Sequence, residues 1–175
     1  PKDLFDFHMQ YMEVTIRISK HQYAQAKAVA EKMVRRRPDF YPAHKHLARI
    51  ALEQNVLPAA VPHLQQMIRL QPNDAESLTN LGAIFQSQGN IDQAVKHYRE
   101  ALIADPDYAS ALNNLGNALI VQGEPDEAVN PLGRAVQLRP DYAEAHYNLG
   151  KALYLTDQSA QALKQFRAAL NLQPN

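Results

Sequence analysis

No cysteine occurs anywhere in the sequence, which removes disulfides, thiolate nucleophiles and thiolate metal sites together. That absence does not choose a compartment; periplasm and cytoplasm both stay open, with the cytoplasm as the working expectation. There is no run of about 18 apolar residues and no charged start leading into an apolar stretch, so neither a membrane span nor a signal peptide is visible. Net charge is also missing, because 18 Lys and Arg balance 18 Asp and Glu. A general electrostatic grip on nucleic acid or anionic lipid is therefore not supported, although local patches remain open. The glycine-rich phosphate loop, the Gly-x-Ser-x-Gly elbow and the His-Glu metalloprotease motif are all absent. Carboxylates are plentiful but fall at helix starts and exposed positions rather than converging, so the expectation is no catalysis and no cofactor.

What is present is a period. Prolines stand at positions 38, 72, 106, 140 and 174, each 34 residues from the next. Aligned on them, the chain divides into units 7–40, 41–74, 75–108, 109–142 and 143–175, each with two apolar patterns of helical length and a polar break between. In the fourth unit Leu112, Leu115, Gly116 and Leu119 form one stripe, and Ala128, Leu132, Ala135 and Val136 form the second. Gly123 opens the turn between them; Asp126 is the expected N-cap of the second helix, and Asp141 that of the next unit's first helix. Small residues recur where paired helices must cross closely: Ala48, Gly82, Gly116 and Gly150 on first helices, and Ala26, Ala60, Ala94, Ala128 and Ala162 on second helices. The first unit departs from the pattern with Glu13-Val14. Pro62 and Pro131 lie about one turn into second helices, where local bends are expected.

These units resemble tetratricopeptide repeats, whose 34-residue pattern is carried by Leu81-Gly82, Phe85, Ala94, Tyr98, Ala101 and Pro106, and again by Leu149-Gly150, Ala162, Phe166, Ala169 and Pro174. The resemblance implies an all-α fold, a right-handed superhelical solenoid of five stacked helix-turn-helix repeats forming a single array over 1–175. It also implies that the first helices line a concave groove.

On that frame the three asparagines of Leu112 to Gln122, poor helix formers by propensity, acquire a role. Ser110, Asn113, Asn114, Asn117 and Val121 project away from the core stripe, toward the groove. Asn80, Asn114 and Asn148, each in an Asn-Leu-Gly triplet, make a ladder at repeat spacing. A carboxamide matches the alternating C=O and N–H of an extended peptide, and the triplets are similar to those in the superhelical arm of O-linked N-acetylglucosamine transferase. Neighbouring columns add Lys45, His46 and Arg49, then Glu76, Thr79 and Gln86, then Glu144, Tyr147, Lys151 and Tyr154. The groove is expected to run from basic through amide-rich to aromatic, and to take a peptide acidic at one end and apolar at the other. Lys45 and Asn80 match two of five positions of the family's carboxylate clamp; Arg49, Ser110 and Asn114 do not.

The expected function is a non-catalytic protein-interaction scaffold for an extended peptide, without nucleic-acid binding or membrane insertion. Two other readings stand beside it: the substrate-recruiting arm of a larger glycosyltransferase or sulfotransferase, and an assembly module. The chain opens on Pro1 rather than Met, and its last helix carries Leu163, Phe166, Leu170 and Leu172, so a longer parent chain or pairing with a second copy is expected. Leu4, Phe5, Phe7, Met9, Tyr11, Met12 and Ile16 give the first helix a similar apolar excess. His44, His46 and His63 do not have the spacing of a metal site; His44 is expected in the core and His46 in the groove. Arg35-Arg36-Arg37 is read as a helix C-terminus meeting its dipole.

Overall fold

The computed structural model describes residues 2–172, and the side chains from residue 5 onward. Pro174 and Asn175, which close the fifth unit, lie outside the described residues, as does the Leu4 side chain. Every described element is an α-helix, and the chain forms two compact units, Pro1–Pro72 and Asn73–Asn175.

The first unit holds two hairpins, α1 (Lys2–Ser19) with α2 (Tyr23–Arg36) and α3 (Tyr41–Glu53) with α4 (Leu57–Leu70). Helix α1 begins ahead of the 34-residue frame and packs on α2 and α3. The core of this unit is Phe7, Val14, Ile18, Ala26, Ala30, Met33, Ala43, Leu47 and Ile50. Val14 is fully buried although it stands where later repeats carry glycine or alanine.

The second unit holds three hairpins: α5 (Ala75–Ser87) with α6 (Ile91–Ala104), α7 (Ala109–Gln122) with α8 (Pro125–Leu138), and α9 (Ala143–Leu155) with α10 (Ser159–Leu172). Three kinds of interface recur. First and second helices pair within each hairpin, each second helix packs on the next first helix, and successive first helices also touch, α5 on α7 and α7 on α9. Its main core runs from Ala94, Val95 and Tyr98 through Leu119 and Leu132 to Leu153 and Ala162. Tyr98 is wholly buried, and its hydroxyl donates to Gln86 Oε1 at 2.8 Å, which satisfies the one polar atom that burial would leave unpaired.

The glycines of the first helices are set by close approach. A β-carbon at Gly82 would come within 2.7 Å of the Tyr98 ring, one at Gly150 within 2.7 Å of the Phe166 ring, and one at Gly116 would run into Leu132. The facing alanines are 0–1% exposed. The turns repeat just as strictly. His21, Asn55, Gly89, Gly123 and Asp157, again 34 residues apart, all take positive φ between 55° and 84°. In each case the next residue's N–H reaches the carbonyl five residues back (Gln22 to Arg17, Val56 to Ala51, Asn90 to Phe85, Glu124 to Leu119, Gln158 to Leu153) at 2.8–2.9 Å. This is the hydrogen bond of a Schellman cap.

Two capping expectations are corrected. Asp126 is the second residue of α8, because Pro125, with φ already preset for helix, occupies the first position and Glu124 becomes the N-cap. Asp141 sits one residue early for α9, whose N-cap is Tyr142. Where an aspartate does fall in register, at Asp74, its side chain accepts from Ser77 N at 3.1 Å. Helices α4 and α8 run without interruption through Pro62 and Pro131.

Candidate functional site

In the second unit the first-helix faces carry the sequence-picked residues, but at two different depths. Asn80, Asn114 and Asn117 are half-buried, while Glu144, Tyr147, Lys151 and Tyr154 are exposed. Asn113 and Asn148 are not on the surface: they are 0% and 5% exposed. The Asn148 amide donates to Asn113 Oδ1 at 2.9 Å, and Asn113 Nδ2 donates to Tyr142 Oη and Glu144 Oε1 at 3.2 Å and to Asn114 Oδ1 at 3.3 Å. Expecting Asn113 and Asn148 to face a ligand is therefore a correction to make. A helical wheel places them opposite the hairpin core, but α9 packs alongside α7 and covers that side. Their amides join the two helices instead of waiting for a peptide.

Beside this network lies a cavity of about 670 Å³ lined by Ala143, Glu144, Tyr147, Phe166, Ala169 and Leu170. It joins residues that the sequence suggested for separate purposes, the groove pair Glu144 and Tyr147 and the terminal apolar pair Phe166 and Leu170. The Tyr147 and Phe166 rings lie 5.8 Å apart, and Leu170 is 63% exposed. Burial raises the pKa of the Tyr142 hydroxyl above its ordinary value, with the Glu144 carboxylate pushing the same way, so Tyr142 stays a neutral hydrogen-bonding group.

In the first unit Lys45 and Arg49 are exposed. Arg49 is tied to its own helix through Glu53 at 2.6 Å. His46 is a further correction. It is 7% exposed, covered by the Tyr11 ring at 4.9 Å, and burial together with Arg49 and Lys45 lowers its pKa to about 4. It is a neutral imidazole beneath the surface. His44 is in the core as expected. Its Nε2 meets the Pro38 carbonyl at 2.9 Å and its Nδ1 meets His63 Nδ1 at 3.1 Å. The same device recurs three periods later, where His146 meets the Pro140 carbonyl at 3.0 Å and Gln165 at 2.7 Å. These histidines lock the inter-repeat proline turn. Among the described residues no group of three or more His, Asp or Glu side chains is placed to hold a metal.

Recurring Schellman turns, small crossing residues and 34-residue hairpins find their counterpart in known sequences. Tetratricopeptide repeat profiles match residues 17–84, 84–123, 116–157 and 143–175. The chain belongs to the tetratricopeptide repeat family. No curated protein matches it. Among solved structures it is similar to MamA, at 20% identity over 92% of this chain and 94% of that one, with a TM-score of 0.81. It is similar to YrrB, described as a TPR protein with an unusual peptide-binding site, at 17% identity over 95% and 86% with a TM-score of 0.77. PilF of Pseudomonas aeruginosa matches at 17% identity over 94% and 75%, with a TM-score of 0.80. At such identities the likeness establishes the fold.

Sequence reasoning missed two things about this repeat array. The zero net charge conceals a division, since Pro1–Pro72 has eleven Lys and Arg against six Asp and Glu, and Asn73–Asn175 has seven against twelve. Counting charge by unit would have found it. The other is Tyr11, treated only as apolar excess although it stands four periods from Tyr147 and takes the same place in its helix.

Proposed function

We propose that the chain is a non-catalytic protein-interaction scaffold, and that its second unit holds an extended peptide against α7 and α9, anchored by an apolar side chain. The observation that carries this is the cavity between Tyr147 and Leu170, roomy, mostly apolar and open, with the Glu144 carboxylate at its edge. The half-buried amides of Asn114 and Asn117 supply main-chain hydrogen bonding beside it, and Lys151 and Tyr154 extend the contact face. Asn113 and Asn148 act as the rigid floor of this face.

The test is peptide display against the native chain and against a Tyr147→Ser, Leu170→Ser double variant. The proposal expects peptides with an aromatic or aliphatic anchor to be enriched on the native chain and lost on the variant. Failure to enrich any peptide, or equal enrichment on both, would count against it. A second reading, assembly of copies through apolar outer helices, draws on Phe5, Met9, Leu163 and Leu170, which are 51–69% exposed. Sedimentation across a wide concentration range checks it, and a chain that stays monomeric excludes it.

A further inference from the structure

The first unit contains a smaller cavity, about 280 Å³, lined by Phe7, His8, Tyr11, Arg37, Phe40 and Pro42. Its walls are fixed. Phe7 and Phe40 meet edge to face at 5.0 Å, Phe7 is 6% exposed, and Tyr11 is braced from behind by the buried His46 ring. The volume suits one side chain rather than a whole small molecule, which usually needs upward of roughly 300 Å³.

At this cavity stands a guanidinium placed over aromatic rings. Arg36 and Arg37 both lie over the Phe7 ring, at 5.4 and 5.5 Å, and Arg37 also lies over Phe40 at 5.4 Å. Arg36 is neutralised by Asp6 at 2.7 Å. Arg37 makes no ion pair with any described residue, and its guanidinium carbon lies over both rings. An arginine stacked in this way has already given up much of its rotamer freedom, so a carboxylate that reaches its fork gains two charge-assisted hydrogen bonds at little further ordering cost. The unit around it carries a net charge of +5 by residue count, which favours the approach of an acidic partner.

We propose that this cavity is a second recognition site, for a peptide segment in which an aromatic side chain lies within one or two residues of carboxylates. The ring enters between Tyr11, Phe40 and Pro42, and a carboxylate docks on Arg37. This rests on the scaffold reading but uses a different unit and a different anchor. Basic residues interleaved with aromatics can also bind single-stranded nucleic acid. Here there is a single cavity of side-chain size and one uncompensated guanidinium rather than a track of open rings and cations, and that favours the peptide.

The probe is a fluorescein-labelled peptide, Gly-Asp-Glu-Phe-Asp-Glu-Gly, followed by fluorescence anisotropy on the native chain. Arg37→Gln and Tyr11→Ala should each weaken binding by about fivefold or more, roughly 1 kcal/mol. Replacing the probe's Phe by Gly should do the same at constant charge. Ile103→Ser, at an exposed position of α6 in the other unit, should leave binding unchanged, and circular dichroism should show all variants folded. Arg37→Lys, which keeps the charge but loses the planar fork, should not restore native affinity. The proposal is overturned by a native chain that does not bind the probe, by equal binding of native and Arg37→Gln, or by tighter binding of an oligo-dT strand than of the peptide. Any of these leaves the scaffold reading to its own test, since peptides displayed against Tyr147 and Leu170 would still be captured.

Discussion

Asn113 offers the sharpest test of how the repeats are joined. Its amide is wholly buried and makes contacts to Tyr142, Glu144, Asn114 and Asn148. Asn113→Ala removes the acceptor of the Asn148 N–H, itself nearly buried, and one donor partner each from Tyr142 and Glu144. A buried donor left unsatisfied costs about 1–3 kcal/mol, whereas exposed Glu144 can turn to water at little expense. The expected loss is thus about 2–3 kcal/mol once the small void is added. Asn148→Ala should lose a similar amount, because it leaves Asn113 Oδ1 without its shortest bond. In the double variant both ends of that bond are gone, so the losses should not add. A coupling of about 1 kcal/mol or more is expected from urea unfolding of the four proteins in a double-mutant cycle. Since repeat stability is carried by interfaces between neighbours, the unfolding transition should also broaden. Additive losses, or an Asn113→Ala chain within about 0.5 kcal/mol of native, would refute the view that the amides clamp α7 to α9.

Glycine substitutions should separate space from backbone. Gly116→Ala, which drives a methyl into Leu132, should cost about 1–3 kcal/mol in chemical denaturation, whereas Gly133→Ala, inside α8 with nothing within 4 Å, should gain about 0.5–1 kcal/mol. Gly123→Ala also meets nothing within 4 Å but sits at φ 84°, so a loss of about 1–2 kcal/mol would measure left-handed strain alone. Acid should weaken the first unit through His46. Its folded pKa of about 4 lies below the ordinary 6.5, so the unfolded chain binds the extra proton between those values. Stability is then complete above pH 6.5 and falls by up to about 3 kcal/mol on going down to pH 4. His63, lowered in the same direction by burial and by His44, adds to the slope. Unfolding midpoints across pH 4–8 check this, and His46→Phe should flatten the profile.

Much of the architecture was legible without coordinates because it is local and periodic. A proline every 34 residues marks where a second helix must stop, and small residues at fixed offsets mark where two helices touch. A left-handed residue at each hairpin turn needs only its neighbours. Tetratricopeptide hairpins are therefore written residue by residue, and even the glycine contacts with Tyr98, Leu132 and Phe166 follow from one sixteen-residue spacing. Capping was less readable, since a one-residue offset separates Asp74, which caps, from Asp141, which does not.

The candidate site divides along the same line. Sequence alone determined that asparagines, a lysine and tyrosines occupy the side of each first helix away from its own partner, because azimuth on a single helix is a matter of counting. Only the tertiary structure decided which of them stay in contact with solvent. Helix α9 lies against α7 and α1 against α3, so Asn113, Asn148 and His46 are covered by neighbours that no wheel drawn for one helix contains. Packing likewise gathered Tyr147 with Phe166 and Leu170, and stacked Arg37 across Phe7 and Phe40. Burial and pocket formation are properties of pairs of helices, and the pairing distance between side chains is fixed only when the hairpins stack.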